Sequence, residues 1–427
     1  MHAFVPSILA QKIHLTGQVQ GVGYRPFVYR LAHQLGIRGW VRNVTGTVEV
    51  LAEATPEKLH TFCAALINEA PAIAKPHLDV RVDVAPAGHA DFRILDSAEG
   101  EADIHVPVDY FVCQDCLREL RNPADRRHRY PFINCTQCGP RYTLITALPY
   151  DRTRTSLVGF PLCPACAAEY ANPLDRRFHA EPVACPVCGP RVRLGALESE
   201  AAVKDAVRRL RAGEIVAVQG VGGYHLLCDA RDDRVVATLR ARKLRPGKPL
   251  AVLFPDLAAL ASAVHLTAAA ETALTGPARP IVLLPARTGH GLSSGVAPGL
   301  NEIGVFLPYS PLHALLCDDF GGPLVTTSGN RSGEPVLTDP AEAEAGLGGI
   351  ATAFLHHDRP IVRPADDSVL RPLAGVLRPL RLGRGLAPLE LELPRALPEP
   401  LLALGGHMKS TVCLAWNTRA VLSPHIG

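Results

Sequence analysis

The chain has 427 residues, of which 47% are hydrophobic and 20% charged, and its 44 lysines and arginines nearly balance 41 acidic residues for a formal net charge of +3. That length exceeds one ordinary core and, at roughly 150 residues per domain, predicts about three domains. The balanced charge excludes a chain-wide polyanion binder, so any basic function must be local.

The opening stretch "MHAFVPSILAQKIHL" has no basic start, apolar core and small-residue cleavage site, and no apolar run reaches the ~18 residues of a membrane span. The reading is a cytoplasmic chain with no membrane association. In a reducing compartment, clustered cysteines serve as metal ligands rather than disulfides.

Residues 1–97 read as strand, helix, two strands, helix, strand. The strands fall at "KIHLTGQV", on both sides of Thr45 and Gly46, and at "HLDVRVDVAPAG"; the helices run from about Arg25 to Gln34 and from Thr55 to Asn68. This is a ferredoxin-like plan. Between the first strand and first helix stands "GQVQGVGYRPF". Consecutive backbone N–H groups of Gln20, Gly21, Val22, Gly23 and Tyr24, opening onto a helix N-terminus, can form a nest for an anion. Arg25 adds a planar fork suited to phosphate oxygens. With "GWVRNVTGTVEV", the stretch resembles the paired signature of acylphosphatases. The resemblance implies that Arg25 binds the phosphoryl group and Asn43 positions the attacking water. A hairpin corner with Arg25 as a plain helix start is the alternative, and it leaves the second motif unexplained.

Residues 105–195 contain a duplication: Cys113, Cys116, Cys135 and Cys138 recur at a shift of 50 as Cys163, Cys166, Cys185 and Cys188. Each unit is C-x2-C-x18-C-x2-C, the spacing of a four-thiolate zinc site. Two structural zinc ions are expected, with no open position for catalysis. Pairing within each repeat is the simpler arrangement, although spacing leaves exchange between repeats open. Zinc ribbons often bind nucleic acid, and "RRHRY" is locally basic. Sparse aromatics and neighbouring aspartates favour a scaffold instead.

Residues 198–388 begin with the helix "ESEAAVKDAVRRLRAG", followed by strands at "EIVAVQGVGGYHLLCDA", "PLAVLF", "PIVLLP", "IGVFLP" and "PLVTTSGN". They predict an α/β sheet buried on both faces. Lys243, Arg245 and Lys248 crowd one loop, Thr327, Ser328, Asn330 and Ser332 another, and Arg359, Arg363, Asp366, Asp367 and Ser368 a third. Each loop alone could be a solvated turn. Together, K-x-R at Lys243 and S-x-N at Ser328 resemble the YrdC-type carbamoyl-adenylate-forming domains. The resemblance implies that Lys243, Arg245, Lys248, Thr327, Ser328, Asn330, Arg363 and Asp367 hold ATP phosphates and a carbamate, with Tyr224 and His225 facing the pocket. ATP would come with Mg2+. No Walker motif is present.

Residues 389–427 read as a linker and the opening strands of an actin-like (Kae1-like) domain, too short to fold as that domain and therefore expected to pack on a neighbour or to be truncated. Cys228, Cys317 and Cys413 carry no assigned role. The expected fold class is multidomain α+β and α/β: a ferredoxin-like acylphosphatase domain, a duplicated zinc-finger module and a YrdC-like α/β domain.

That order resembles the HypF carbamoyltransferase family of NiFe-hydrogenase maturation. The resemblance implies hydrolysis of carbamoyl phosphate, internal passage of carbamate, its ATP-dependent adenylation with release of pyrophosphate, and transfer to the C-terminal cysteine of HypE as the source of cyanide ligands. A threonylcarbamoyl-tRNA-type enzyme leaves the first two segments unexplained. A plain acylphosphatase leaves the third without a role, and a zinc-dependent nucleic-acid binder would show salt-sensitive binding and no turnover.

Overall fold

A computed structural model describes residues 8–44, 46–71, 73–98, 105–148, 150–406 and 409–426. Thr45 of the expected hairpin lies outside the described residues. The chain divides into two compact units, one formed by 1–107, 134–137 and 144–188 and the other by 108–133, 138–143 and 189–427.

The first unit is built on strands β1 (Leu9–Gln18), β2 (Arg38–Val44), β3 (Thr47–Ala54), β4 (Lys75–Val84) and β5 (Phe92–Ile94), with helices α1 (Tyr24–Leu35) and α2 (Pro56–Asn68). The sheet order is β4-β1-β3-β2-β5, and β5, absent from the sequence reading, pairs parallel with β2. Three residues with one buried side chain carry too little periodicity to show as a strand. Ile13 and Leu15 alternate inward from β1 and meet Val28 and Leu31 of α1 and Phe62 of α2 in one core. The alternation expected of β4 is present in sequence, but Leu78, Val80 and Val82 are exposed on this edge strand. Helix α1 starts at left-handed Gly23 (φ 72°) and stops at left-handed Gly36, whose N–H reaches the last carbonyls of the helix.

Each repeat carries a short helix begun by its first cysteine: α3 (Gln114–Arg121) after Cys113 and α4 (Pro164–Ala171) after Cys163. The second unit adds helices α5 (Ser199–Arg211), α6 (Asp233–Arg242), α7 (Leu257–Ala263), α8 (Ala268–Thr275), α9 (Pro311–Phe320) and α10 (Pro340–Leu347). Its large sheet contains β6 (Val192–Leu194), β7 (Leu197–Glu198), β8 (Val216–Gln219), β9 (Tyr224–Asp229), β10 (Ala251–Leu253), β11 (Ile281–Pro285), β12 (Glu302–Phe306), β13 (Leu324–Ser328), β14 (Ala353–His357), β15 (Val369–Leu373) and β16 (Val376–Arg381). The order is β16-β15-β11-β12-β10-β13-β9-β8-β14-β6-β7.

Central strands β8, β9 and β13 are buried on both faces, as their continuous apolar runs require. The sheet is nevertheless mixed: β10 with β12, β11 with β15 and β8 with β14 run parallel, while other pairs, including the β8–β9 hairpin at "GVGG", run antiparallel. A short glycine turn permits only that hairpin, whereas a parallel neighbour needs a longer crossover. Four further strands, β17 (Leu389–Glu392), β18 (Leu401–Leu404), β19 (Val412–Trp416) and β20 (Arg419–Leu422), form an antiparallel sheet in the order β17-β20-β19-β18. Among the described residues, no helix is long and apolar enough to cross a membrane.

Candidate functional site

The glycine turn of the first unit has the backbone its sequence demands. Gly21 (φ 69°) and Gly23 (φ 72°) are left-handed and alternate with Val22 and Tyr24, which are not, a pattern that turns successive N–H groups toward one side. Gln20 ties this turn to the β2–β3 hairpin: its Nε2 donates to the carbonyls of Val44 (3.0 Å) and Thr47 (2.9 Å). That anchor brings Asn43 to the same end of the sheet. Asn43 is buried, and its Oδ1 accepts no hydrogen bond from the described residues, leaving an acceptor available for an ordered water. Tyr24 contributes only backbone here, because its hydroxyl donates to the carbonyl of Leu66 and burial raises its pKa well above the usual range.

Arg25 is buried beside the turn, where its Nη2 meets Glu181 Oε1 at 3.2 Å and Asp151 Oδ1 at 3.3 Å. Neither carboxylate was among the expected site residues. They lie 156 and 126 residues away along the chain, a separation no local motif spans.

The eight cysteines sort within the repeats. The sulfurs of Cys113, Cys116, Cys135 and Cys138 lie within 4.8 Å of one another, as do those of Cys163, Cys166, Cys185 and Cys188. Observed separations are 3.5 Å for Cys116–Cys138, 3.7 Å for Cys163–Cys185, 3.8 Å for Cys185–Cys188 and 3.7 Å for Cys166–Cys188. A tetrahedron with Zn–S bonds of about 2.3 Å requires sulfurs roughly 3.8 Å apart, so both sets fit zinc. Arg127 of the "RRHRY" stretch is buried and thus turned away from any polyanion outside.

In the second unit, α6 ends just before Lys243, and the following loop is braced by Arg240, whose Nη1 donates to the carbonyls of Arg245 (2.7 Å), Pro246 (3.2 Å) and Lys248 (3.2 Å). The buried Lys243 ammonium donates to the carbonyls of Ser328 (2.7 Å) and Asn330 (2.7 Å) and to Asn330 Oδ1 (2.9 Å), which also accepts from Ser328 Oγ (2.9 Å). Thus the K-x-R and S-x-N loops form one cluster, with Thr327 buried on the strand that enters it. Burial, reinforced by the Arg245 and Lys248 charges and opposed by Asp366, pulls the Lys243 pKa down to about 7. Burial likewise lowers Arg245 to about 10 and reduces the pKa of Lys248, whose neighbours include Arg245, Lys409, Arg381 and Asp366. Lys409, Arg381 and His425 were not anticipated; Lys409 Nζ lies 2.9 Å and His425 Nε2 3.0 Å from Asp366 Oδ2. The last strands therefore pack on the part of the second unit that holds Asp366.

Four expected residues are placed differently. Tyr224 and His225 cannot both face one pocket, because successive residues of a strand point to opposite faces. The Tyr224 hydroxyl meets Gln219 and His356, away from the S-x-N turn, which Tyr224 reaches through its carbonyl, accepting from Gly329 N–H at 2.6 Å, and its Cβ. His225 lies against His313 and Asp367. Asp367 is held by Arg384 at 2.8 Å, and Arg363 packs over the Tyr142 ring at 5.7 Å.

Comparison with known proteins matches these parts in turn. Family models match residues 11–94 (Acylphosphatase), 112–145 and 162–194 (HypF finger), 208–383 (Telomere recombination, the Sua5/YciO/YrdC model) and 396–427 (HypF Kae1-like domain). Carbamoyltransferase HypF2 of Cupriavidus necator is 47% identical over 99% of the chain, and Carbamoyltransferase HypF of Synechocystis 46% over 97%; the chain covers 55% of each. The crystal structure of a full-length HypF in its phosphate- and nucleotide-bound form aligns with a TM-score of 0.96 at 41% identity, over 100% of this chain and 57% of that one. The chain thus spans about half the length of the relatives it matches, and over that span it belongs to the HypF carbamoyltransferase family.

Proposed function

We propose that the chain carries the two upstream half-reactions of a carbamoyl transfer. Carbamoyl phosphate binds with its phosphoryl oxygens on the N–H groups of Gln20 to Tyr24 and on Arg25. Asn43 aligns a water through its unengaged Oδ1, and hydrolysis gives phosphate and carbamate. Little covalent chemistry is asked of the protein, since phosphoryl transfer needs charge stabilisation and alignment above all.

Carbamate then reaches the Lys243 cluster and attacks the α-phosphorus of ATP, forming carbamoyl adenylate and expelling pyrophosphate. Lys243, Arg245 and Lys248 offset the polyphosphate charge, while Thr327, Ser328 and Asn330 supply hydrogen bonds. Mg2+ accompanies ATP as partial neutralisation of its phosphates. Tyr224, Asp367 and Arg363 act at most through the walls of this site. The carbamoyl group goes on to the C-terminal cysteine of the HypE partner, which supplies the cyanide ligands in hydrogenase maturation. The two four-cysteine sites hold structural zinc.

The observation that carries this reading is the buried Lys243 ammonium converging on Ser328 and Asn330 in a chain that also holds the Gly21–Arg25 turn. The bound phosphate and nucleotide of the structural relative agree with one anion site of each kind. The test is pyrophosphate release from ATP with carbamoyl phosphate as the only carbamate source, comparing wild type with Arg25→Ala. Release that depends on Arg25 supports the coupled reaction; release indifferent to Arg25, or none, overturns it.

A further inference from the structure

The two cysteine repeats share their cysteines and a set of flanking residues, and one of the places where they differ is the loop before the third cysteine. Asn122-Pro123, Asp125-Arg126-Arg127 and Gly139-Pro140-Arg141 recur at a shift of 50, but Glu181 has Pro131 as its counterpart. Within the second unit, Pro131, Phe132 and Ile133 line a cavity with His357 and Arg359, and the Arg359 guanidinium sits 5.2 Å over the Phe132 ring. Within the first unit, the equivalent loop sets Glu181 against Arg25.

Glu181 is only 3% exposed. Its Oε1 accepts from Arg25 Nη2, and its Oε2 accepts from Tyr170 Oη (2.9 Å) and the Arg152 N–H (3.0 Å). Arg152 Nη1 in turn donates to the carbonyls of Glu181 (2.6 Å) and Val183 (2.9 Å), two residues before the metal ligand Cys185. A carboxylate this buried costs several kcal/mol unless fully paired, and the other repeat carries proline at the equivalent position, so neither metal nor fold of the repeat demands a carboxylate here. Asp151, the other carboxylate partner of Arg25, is 28% exposed at its side chain and better screened by water.

We infer that Glu181 is a positioning residue: the second repeat lends this carboxylate to the phosphatase-type site to orient and charge-balance Arg25. The inference rests on the phosphoryl-binding reading above. With Glu181 removed, the guanidinium keeps Asp151 and a 3.5 Å contact to Ser97 and loses its most deeply buried anchor. Misplacement by about 1 Å costs on the order of a hundredfold in rate.

The test uses the zinc-loaded full chain, with carbamoyl phosphate and acetyl phosphate as hydrolysis probes. Glu181→Ala is expected to lower kcat/KM by roughly 10- to 100-fold. Glu181→Gln, which keeps an oxygen at Oε1, should recover most of that loss with zinc content unchanged. Phenylglyoxal labelling of Arg25, read by peptide mass spectrometry, should be faster in Glu181→Ala than in wild type and intermediate in Glu181→Gln. This readout does not require turnover. Wild-type kinetics and labelling in Glu181→Ala would overturn the inference, as would equal losses in both variants accompanied by loss of zinc. A wild-type chain that hydrolyses neither probe would defeat the phosphoryl reading, while the labelling order would still decide the role of Glu181.

Discussion

Lys243 shows how one side chain can link binding to protonation. With its pKa near 7, the amine is largely neutral at pH 8. A polyphosphate arriving beside it favours the charged form, so ATP binding at pH 8 should take up close to one proton. Titration calorimetry in buffers of different ionisation enthalpy reads this directly, and a buffer-independent heat would contradict it. The same group affects stability. Its folded pKa lies below the ordinary ~10.4, so the unfolded chain holds the extra proton and stability rises as pH increases from about 7 to about 10. Lys243→Met should remove that slope in urea denaturation. Gly23 is as demanding in a steric sense, since at φ 72° an added Cβ would meet Thr136 Cβ at 2.9 Å. Gly23→Ala should cost at least ~1–2 kcal/mol from the left-handed backbone alone and abolish acyl phosphate hydrolysis, as denaturant melts and steady-state rates would show.

At the scale of elements, the repeats couple metal to chemistry they do not perform. Cys166 belongs to the metal set and not to the phosphate turn, yet the loop carrying Glu181 ends at its co-ligand Cys185. Cys166→Ser should therefore lower bound zinc from two equivalents to one and cut carbamoyl phosphate hydrolysis by tenfold or more, in line with the ~10–100-fold cost of disturbing a metal site's surroundings. Metal analysis alongside kinetics checks this, and full hydrolysis with one zinc lost would refute it. The duplication was legible because zinc dictates spacing, and the turn because glycine dictates backbone sign. The fifth strand of the first sheet and the Glu181–Arg25 pair were not, being contacts whose partners stand far apart in sequence.

At the scale of the whole chain, Asp366 anchors the last strands. Burial alone would raise its pKa, but the hydrogen bond with His425 and the charges of Arg381 and Lys409 hold it well below the usual carboxylate range. A depressed carboxylate contributes stability that is present above its unfolded pKa near ~4 and lost as pH falls toward the folded value. Hydrogen exchange across residues 409–422, corrected for intrinsic rate, should therefore show weaker protection at about pH 3.5 than at pH 7. Asp366→Asn should loosen the same residues already at pH 7, and unchanged exchange in that variant would count against the anchor.

Sequence alone determined the parts: four-thiolate sites from cysteine spacing, a turn with left-handed glycines before the first helix, and the order of domain types from motifs that each occupy a short stretch. Those features depend on local geometry, which neighbouring residues set by themselves. Tertiary structure decided which repeat stands beside which site, that Tyr224 turns from His225 onto the other face of its strand, and that Asp151, Glu181, Lys409 and His425 complete the charge balance around Arg25 and Asp366. Such pairings follow from how the packed elements meet, and an ion pair between residues 156 apart leaves no periodic or spaced trace in the chain.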